Sequence, residues 1–199
     1  MPDIMDLSRL QQQLQHPELS PVESWNPTFC GDLPVRIDVD GHWYYQDSKI
    51  ERLPLVKLFA SVLLCQGQEY FLQTPVEKVR IQVADVPFLI TQSQWQQGEA
   101  GPELWLTTNL GDTIPLSATY PLVLRPFSGQ VLPYVQLWRG IQARLHRNLY
   151  YQLLEEAELK ENQIQQEDGL PGAIHLRCTI QSAGQRFLLA EEKLSASDT

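Results

Sequence analysis

The sequence predicts an α+β protein assembled from two related strand-strand-helix units. Three observations carry that reading. Residues 35–45, 79–83 and 173–190 alternate apolar and polar side chains, the period-two pattern of half-buried strands. Leu53-Pro54 and Leu132-Pro133 each open an apolar run with helical spacing, and proline suits the first helical position. Residues 53–59 also align without gaps on 132–138, with 37–39 against 116–118 and 43–45 against 122–124 upstream, the mark of an internal duplication.

In chain order, Leu7, Leu10 and Leu14 share one face of a short helix over residues 3–15, which His16-Pro17 stops. Residues 17–27 read as a linker pinned by Trp25. Ile37 and Val39 run up to Asp40-Gly41, and Trp43 and Tyr45 run away from it, a hairpin in which both turn positions favour positive φ. Ser48 and Glu51 form a capping-box pattern ahead of Pro54. The helix that follows shows Leu55, Leu58, Phe59, Val62 and Leu63 on one face and ends at Gly67. Residues 69–74 are a short strand.

At the join of the halves, Thr74, Pro75 and Glu77 spell a helix start, yet Val79, Ile81 and Val83 alternate as a strand. A single turn leading into a strand reconciles the two signals, and conflicts of this kind concentrate at functional sites. Asp85-Val86-Pro87 interrupts the sheet, because proline cannot donate to a ladder. Strands follow over 88–95, 104–108, 113–117 and 121–125, with a polar tip at 97–102 and a turn at Asn109–Asp112. A long helix is expected from about residue 132 to about 160, its apolar face being Val135, Trp138, Ile141, Leu145, Leu149 and Leu153. Residues 162–172 are a charged loop, and a closing hairpin turns at Ser182-Ala183-Gly184. The domain organisation is therefore a helix and linker (1–24), a small N-terminal domain (25–75), a C-terminal domain (76–192) and a frayed tail (193–199).

With 43% hydrophobic residues the chain can build a real core, so global disorder is excluded. Its net charge of −9 disfavours nucleic acid, whose phosphates require a basic face. It has no apolar run of membrane-spanning length and no secretory-signal pattern at its start. Cys30, Cys65 and Cys178 are odd in number and widely spaced, which argues for a reducing cytoplasm over a disulfide framework.

No phosphate-cradling glycine loop, nucleophile elbow or His-Glu-x-x-His motif is present. His16, His42, His146 and His175 are scattered, and Asp40 of the Asp38/Asp40 pair is explained by its turn. No catalytic residue, metal or cofactor is expected. The most unusual electrostatic feature lies between Thr113 and Leu154, which holds no acidic residue but carries Arg125, Arg139, Arg144 and Arg147. On a helical projection Arg139, Arg144, Arg147 and Tyr151 lie opposite Trp138 and Leu145. These arginines are solvated, or meet carboxylates of the first half such as Glu77 and Asp85, or hold an anionic ligand.

The set of words Trp25-Asn26-Pro27, Gly31-Asp32, Asp40-Gly41-His42-Trp43, Ile50-x-Arg52-x-x-Leu55-Val56-x-Leu58-Phe59, Thr74-Pro75-Val76-Glu77-Lys78, Asp85-x-Pro87-Phe88, Thr108-Asn109-x-Gly111-Asp112 and Arg147-x-x-Tyr150-Tyr151 resembles the uncharacterised bacterial family catalogued as domain of unknown function 1285. It spans about residues 25–190, with one departure at Asp47-Ser48-Lys49, where Gly-Ser-Pro is the expected pattern. The resemblance implies a duplicated α+β fold whose C-terminal part is a pleckstrin-homology-like antiparallel sheet with a long helix. It also implies a ligand-binding or signal-transduction role with a site between the two domains.

The candidate ligand-binding set is Trp43, Arg52, Thr74, Glu77, Lys78, Asp85, Asn109, Asp112, Arg144, Arg147 and Tyr151. The expected protein is a non-enzymatic cytoplasmic binding or regulatory protein. Its partner is a small anionic ligand or a protein, with no nucleic acid and no membrane span. The alternatives are a hydrolase using Glu77 or Asp85 as general base and an adaptor exposing a sheet edge.

Overall fold

The computed structural model describes residues 22–163 and 174–194; the helix expected over 3–15, most of the loop expected over 162–172 and the last five residues lie outside it. The chain divides into two compact units, one running to Pro87 and including Leu137–Gln142, the other made of Phe88–Gln136 and Ala143 onward.

The first unit begins with a single 3-10 turn at Val22–Ser24 and continues through β1 (Thr28–Ile37), β2 (Trp43–Tyr45), β3 (Ser48–Lys49), α1 (Leu53–Ser61), β4 (Leu63–Gln66), β5 (Glu69–Gln73) and β6 (Glu77–Val83). The six strands form one sheet in the order β3-β2-β1-β6-β5-β4. Leu33, Val35 and Ile37 of β1 are buried in alternation, as period two dictates. They share the core with Trp43, Phe59, Leu63, Leu72, Val79 and Ile81, and Trp43 stacks on Phe59 of α1 with ring centres 6.4 Å apart.

The second unit contains β7 (Phe88–Gly98), β8 (Gly101–Thr108), β9 (Thr113–Pro115), β10 (Leu122–Phe127), β11 (Gln130–Gln136), β12 (Gln142–Leu145), α2 (Arg147–Glu156), β13 (Glu158–Gln163), β14 (Ile174–Ser182) and β15 (Gln185–Leu194). Its first six strands form a sheet ordered β10-β11-β12-β7-β8-β9, and the last three form a separate sheet. Ser182 is fully buried and ties the closing hairpin down: its hydroxyl accepts from Leu104 N–H at 2.9 Å and donates to Leu116 C=O at 2.7 Å.

Read from the other edge, the second six-stranded sheet is β9-β8-β7-β12-β11-β10, which repeats the order of the first rank for rank. In each, the first and last strands of the set run parallel at the centre, Phe29 facing Lys78 in one and Leu89 facing Arg144 in the other. The duplication is therefore real, but its register is not the expected one. The ungapped alignment sets α1 against β11 and β2 against β10, whereas topology matches β11 to β5 and β10 to β4. The connection between β9 and β10 contains no helix where the first unit has α1.

The expected α+β class is corrected: strands dominate, and the described residues contain two α-helices. The long helix over 132–160 is replaced by β11, a turn, β12, the ten-residue α2 and β13. Val135, Ile141 and Leu145 suit a helical face, but a spacing of four also fits period two. The burial decides, since Ile141, Ala143 and Leu145 are buried while Gln142, Arg144 and His146 between them are not. Arg139 (φ 55°) and Gly140 (φ 70°) form the turn, with Ile141 N–H donating to Trp138 C=O at 3.0 Å. With a parallel pair in its sheet and α2 placed before the final strands, the second unit is not the pleckstrin-homology-like antiparallel sheet with a long helix.

Smaller corrections follow the same logic. Ser48 is in β3, so the capping box does not form; α1 starts at Leu53, its N-cap Arg52 making no side-chain cap, and ends at Ser61, after which Leu63 and Leu64 are buried in β4. In the Asp40-Gly41 loop only Gly41 takes positive φ, and the Asp38 side chain organises the turn instead. Thr74 behaves as the sequence requires: its buried hydroxyl accepts from Glu77 N–H at 3.1 Å in a turn that leads straight into β6. Among the described residues no helix is long and apolar enough to cross a membrane.

Candidate functional site

Edge strands expose unpaired backbone groups unless something covers them. One turn does so for β4 in the first unit, and a second segment faces the strand across a cavity. Residues 22–27 are held by Gln73 of β5, a 6%-exposed side chain whose amide nitrogen donates to Val22 C=O at 2.9 Å and to Trp25 C=O at 3.1 Å. The Trp138–Ile141 turn is held by Cys65 N–H, which donates to Arg139 C=O at 2.9 Å. A Cβ added at Gly140 would stand 2.7 Å from Cys65 C=O, so glycine is required there for close approach as well as for φ.

Between these segments and the strands lies a cavity of about 340 Å³, lined by Val22, Glu23, Trp25, Asn26, Pro27, Leu64, Cys65, Gln66, Gln73, Lys78 and Arg139. Arg139 closes one side: its Nε donates to Glu23 Oε1 at 2.7 Å and its Nη1 donates to Ser61 C=O. That guanidinium hydrogen bond, with help from the backbone, holds the Glu23 carboxyl below its ordinary value. Lys78 closes another. Its ammonium lies 4.1 Å from the centre of the Phe71 ring and donates to the Gln66 amide oxygen. No carboxylate faces it among the described residues.

Of the residues expected at the site, Lys78 alone lines this cavity. Thr74 and Glu77 sit beside it in sequence and serve the turn, while Trp43 is a core residue, 1% exposed. The Arg52 backbone carbonyl accepts from Leu55 and Val56 at the start of α1, and its side chain is exposed. Asp85 is buried just past β6.

In the second unit Asn109 and Asp112 belong to one turn. The Asn109 side chain accepts from Leu89 N–H at 3.1 Å, and the Asp112 carboxylate faces the Thr108 hydroxyl at 3.4 Å, so one side chain contacts β7 and the other its own turn. Arg144 lies 5.3 Å from the Phe127 ring and Arg147 lies 5.5 Å from the Tyr151 ring, on a strand and a helix and not on one helical face.

Asp38, Asp40 and His42 place their ligand atoms within 4.8 Å of one another. The Asp38 carboxylate is occupied by the loop: it accepts from the backbone N–H groups of Asp40 and His42 and from the Tyr44 hydroxyl. Burial pushes this carboxyl up, but those hydrogen bonds outweigh burial and leave it below its ordinary value. The arrangement is that of an internally bonded turn.

Glu23, Gln66, Gln73 and Arg139 escaped the sequence reading of the site. Arg139 lies in the stretch from Thr113 to Leu154 that holds no acidic residue, and it pairs with Glu23 of the first unit. Gln73 left no signal at all, since a strand glutamine reads as solvent-facing.

The pattern of the "Domain of unknown function (DUF1285), N-terminal domain" matches residues 20–86, and that of the "Protein of unknown function (DUF1285), C-terminal domain" matches 87–189. A DUF1285 family protein of Silicibacter pomeroyi DSS-3 is similar in structure, with a TM-score of 0.77, 31% identity and coverage of 94% of this chain and 96% of that one. A DUF1285 family protein of Shewanella baltica OS155 gives a TM-score of 0.51 and 32% identity, covering 62% of this chain and 92% of that one. No curated protein matches. Apart from Leu137–Gln142, the boundary between the two family patterns falls where the two compact units divide, and the chain belongs to the DUF1285 family.

Proposed function

We propose that the protein is a non-enzymatic binding or regulatory protein that recognises a small anionic ligand in the cavity of its first unit. The observation that carries this reading is Lys78, a half-buried cation lining a cavity with an amide and an aromatic ring for partners. An ammonium has three donors, and Gln66 takes one, which leaves two for a ligand oxygen. In a chain of net charge −9, a cation without a carboxylate partner among the described residues calls for an anion. Trp25 supplies an apolar wall and Asn26 an amide beside it, a mixture typical of small-molecule sites. Glu23 is committed to Arg139, so the lining offers recognition groups in place of a free general base. The three free thiols suit a cytoplasmic setting.

A thermal-shift and calorimetric panel of phosphates and carboxylates tests the reading, because a ligand of the folded state raises the melting temperature by mass action. A hit should weaken by about 10- to 30-fold in Lys78→Gln, the loss of one charge-assisted contact of about 2 kcal/mol, and be largely retained in Lys78→Arg. Equal binding by Lys78→Gln would refute the assignment.

A further inference from the structure

β10 is the second unit's counterpart of β4, and it too borders a cavity, of about 510 Å³. The strand is flanked there by β15, and α2 contributes Tyr150 to the cavity lining. Leu124 of β10, Val131 of β11, Leu176 of β14 and Ala190 of β15 give the cavity an apolar lining. Polar groups are few. Tyr150 and Cys178 stand close enough to interact, and burial, reinforced by Cys178, pushes the Tyr150 phenol up, so its hydroxyl stays protonated at neutral pH. That hydroxyl has no hydrogen-bond partner among the described residues.

The remaining polar groups are the Gln130 amide and two carboxylates. Glu191 is held by Arg177, whose Nε donates to it at 2.8 Å. Glu192 has no cationic partner among the described residues. The lining residues thus include two carboxylates, an amide, a phenol and a thiol over hydrocarbon, and no lysine or arginine.

We propose that this second cavity binds a small organic cation with an apolar body, an amine or guanidine whose charged head meets Glu192 and the Tyr150 hydroxyl while its hydrocarbon lies on Leu124, Val131 and Leu176. The volume suits a molecule of about ten to twenty heavy atoms, within the usual range of small-ligand pockets. The site is independent of the anion site proposed for the first unit, because the lining residues of the two cavities do not overlap.

Cys178 provides the reporter. In a Cys30→Ser, Cys65→Ser protein it is the sole thiol, and its reaction with a neutral methanethiosulfonate can be followed at increasing hexylamine, hexanol or hexanoate. Hexylamine should slow the reaction several-fold in a saturable way, with hexanol weaker and hexanoate without effect. Glu192→Gln should raise the hexylamine concentration needed about 10-fold, as loss of a charge-assisted contact predicts, and Lys78→Gln should leave it unchanged. Absence of protection by hexylamine, equal protection by hexanoate or hexanol, or full protection in a folded Glu192→Gln protein would each overturn the proposal.

Discussion

β4 and β10 hold the same rank in their sheets, fourth in sequence and outermost in space, and each has a hollow against it. The coverings differ. In the first unit irregular segments close the strand, tied by Gln73 and by the Arg139–Gly140 turn. In the second, β15 of the separate sheet packs on the strand, and α2 lends Tyr150 to the hollow. The charges differ too: Lys78 and Arg139 line one hollow, Glu191 and Glu192 the other. In each hollow one charge is paired, Arg139 with Glu23 and Glu191 with Arg177. Lys78 and Glu192 have no opposite charge among the described residues. Topology supplies the place, and a handful of side chains decide what it can hold.

The comparison can be broken most forcefully at Gly140. An added Cβ meets backbone and the φ is left-handed, so Gly140→Ala should cost about 2–3 kcal/mol in urea denaturation. A variant as stable as the native protein would mean that the turn is not seated on β4. Gln73→Leu comes next. It removes two hydrogen bonds from buried or part-buried carbonyls, at about 2 kcal/mol, and should weaken anion binding while hexylamine still protects Cys178. Loss of both responses would show that the two hollows are not separate.

The smallest effect is in pH. The lowered Glu23 carboxyl contributes stability above its unfolded value, near 4.5, and loses it as the pH falls through its lower folded value. The raised Tyr150 phenol contributes below its unfolded value, near 10, and loses it as the pH rises through its higher folded value. Stability should therefore decline at opposite ends of the pH scale, the acid limb flattening in Glu23→Gln and the alkaline limb in Tyr150→Phe. Limbs unchanged in those variants would remove both groups from the account.

Part of the strand framework was legible, because Val35 and Ile37, or Val79 and Ile81, alternate without competing signals. The Leu-Pro words were not decisive. Leu53-Pro54 does start a helix, since Val56, Phe59 and Ala60 bury one face; Leu132-Pro133 lies in a strand that ends at a left-handed turn. An apolar spacing of four residues belongs to both periods, so Ile141 and Leu145 alone cannot choose between them. The same ambiguity produced a false repeat register and hid the true one, which resides in hydrogen-bonded strand order and leaves little trace in sequence. Of the candidate cavity's lining, the sequence pointed to Lys78, where helix-start and strand signals conflict. The site was illegible at Gln73 and Glu23, whose importance comes from partners far along the chain.

The central claim is that duplicated edge hollows select ligands of opposite charge. Two-dimensional amide NMR of the full-length, uniformly labelled chain during separate titrations with hexanoate and hexylamine tests it most directly. Hexanoate should shift signals of β4, β5 and residues 22–27, and hexylamine those of β10, α2, β14 and β15, with no overlap. Both probes converging on one hollow, or shifting neither, would contradict the account.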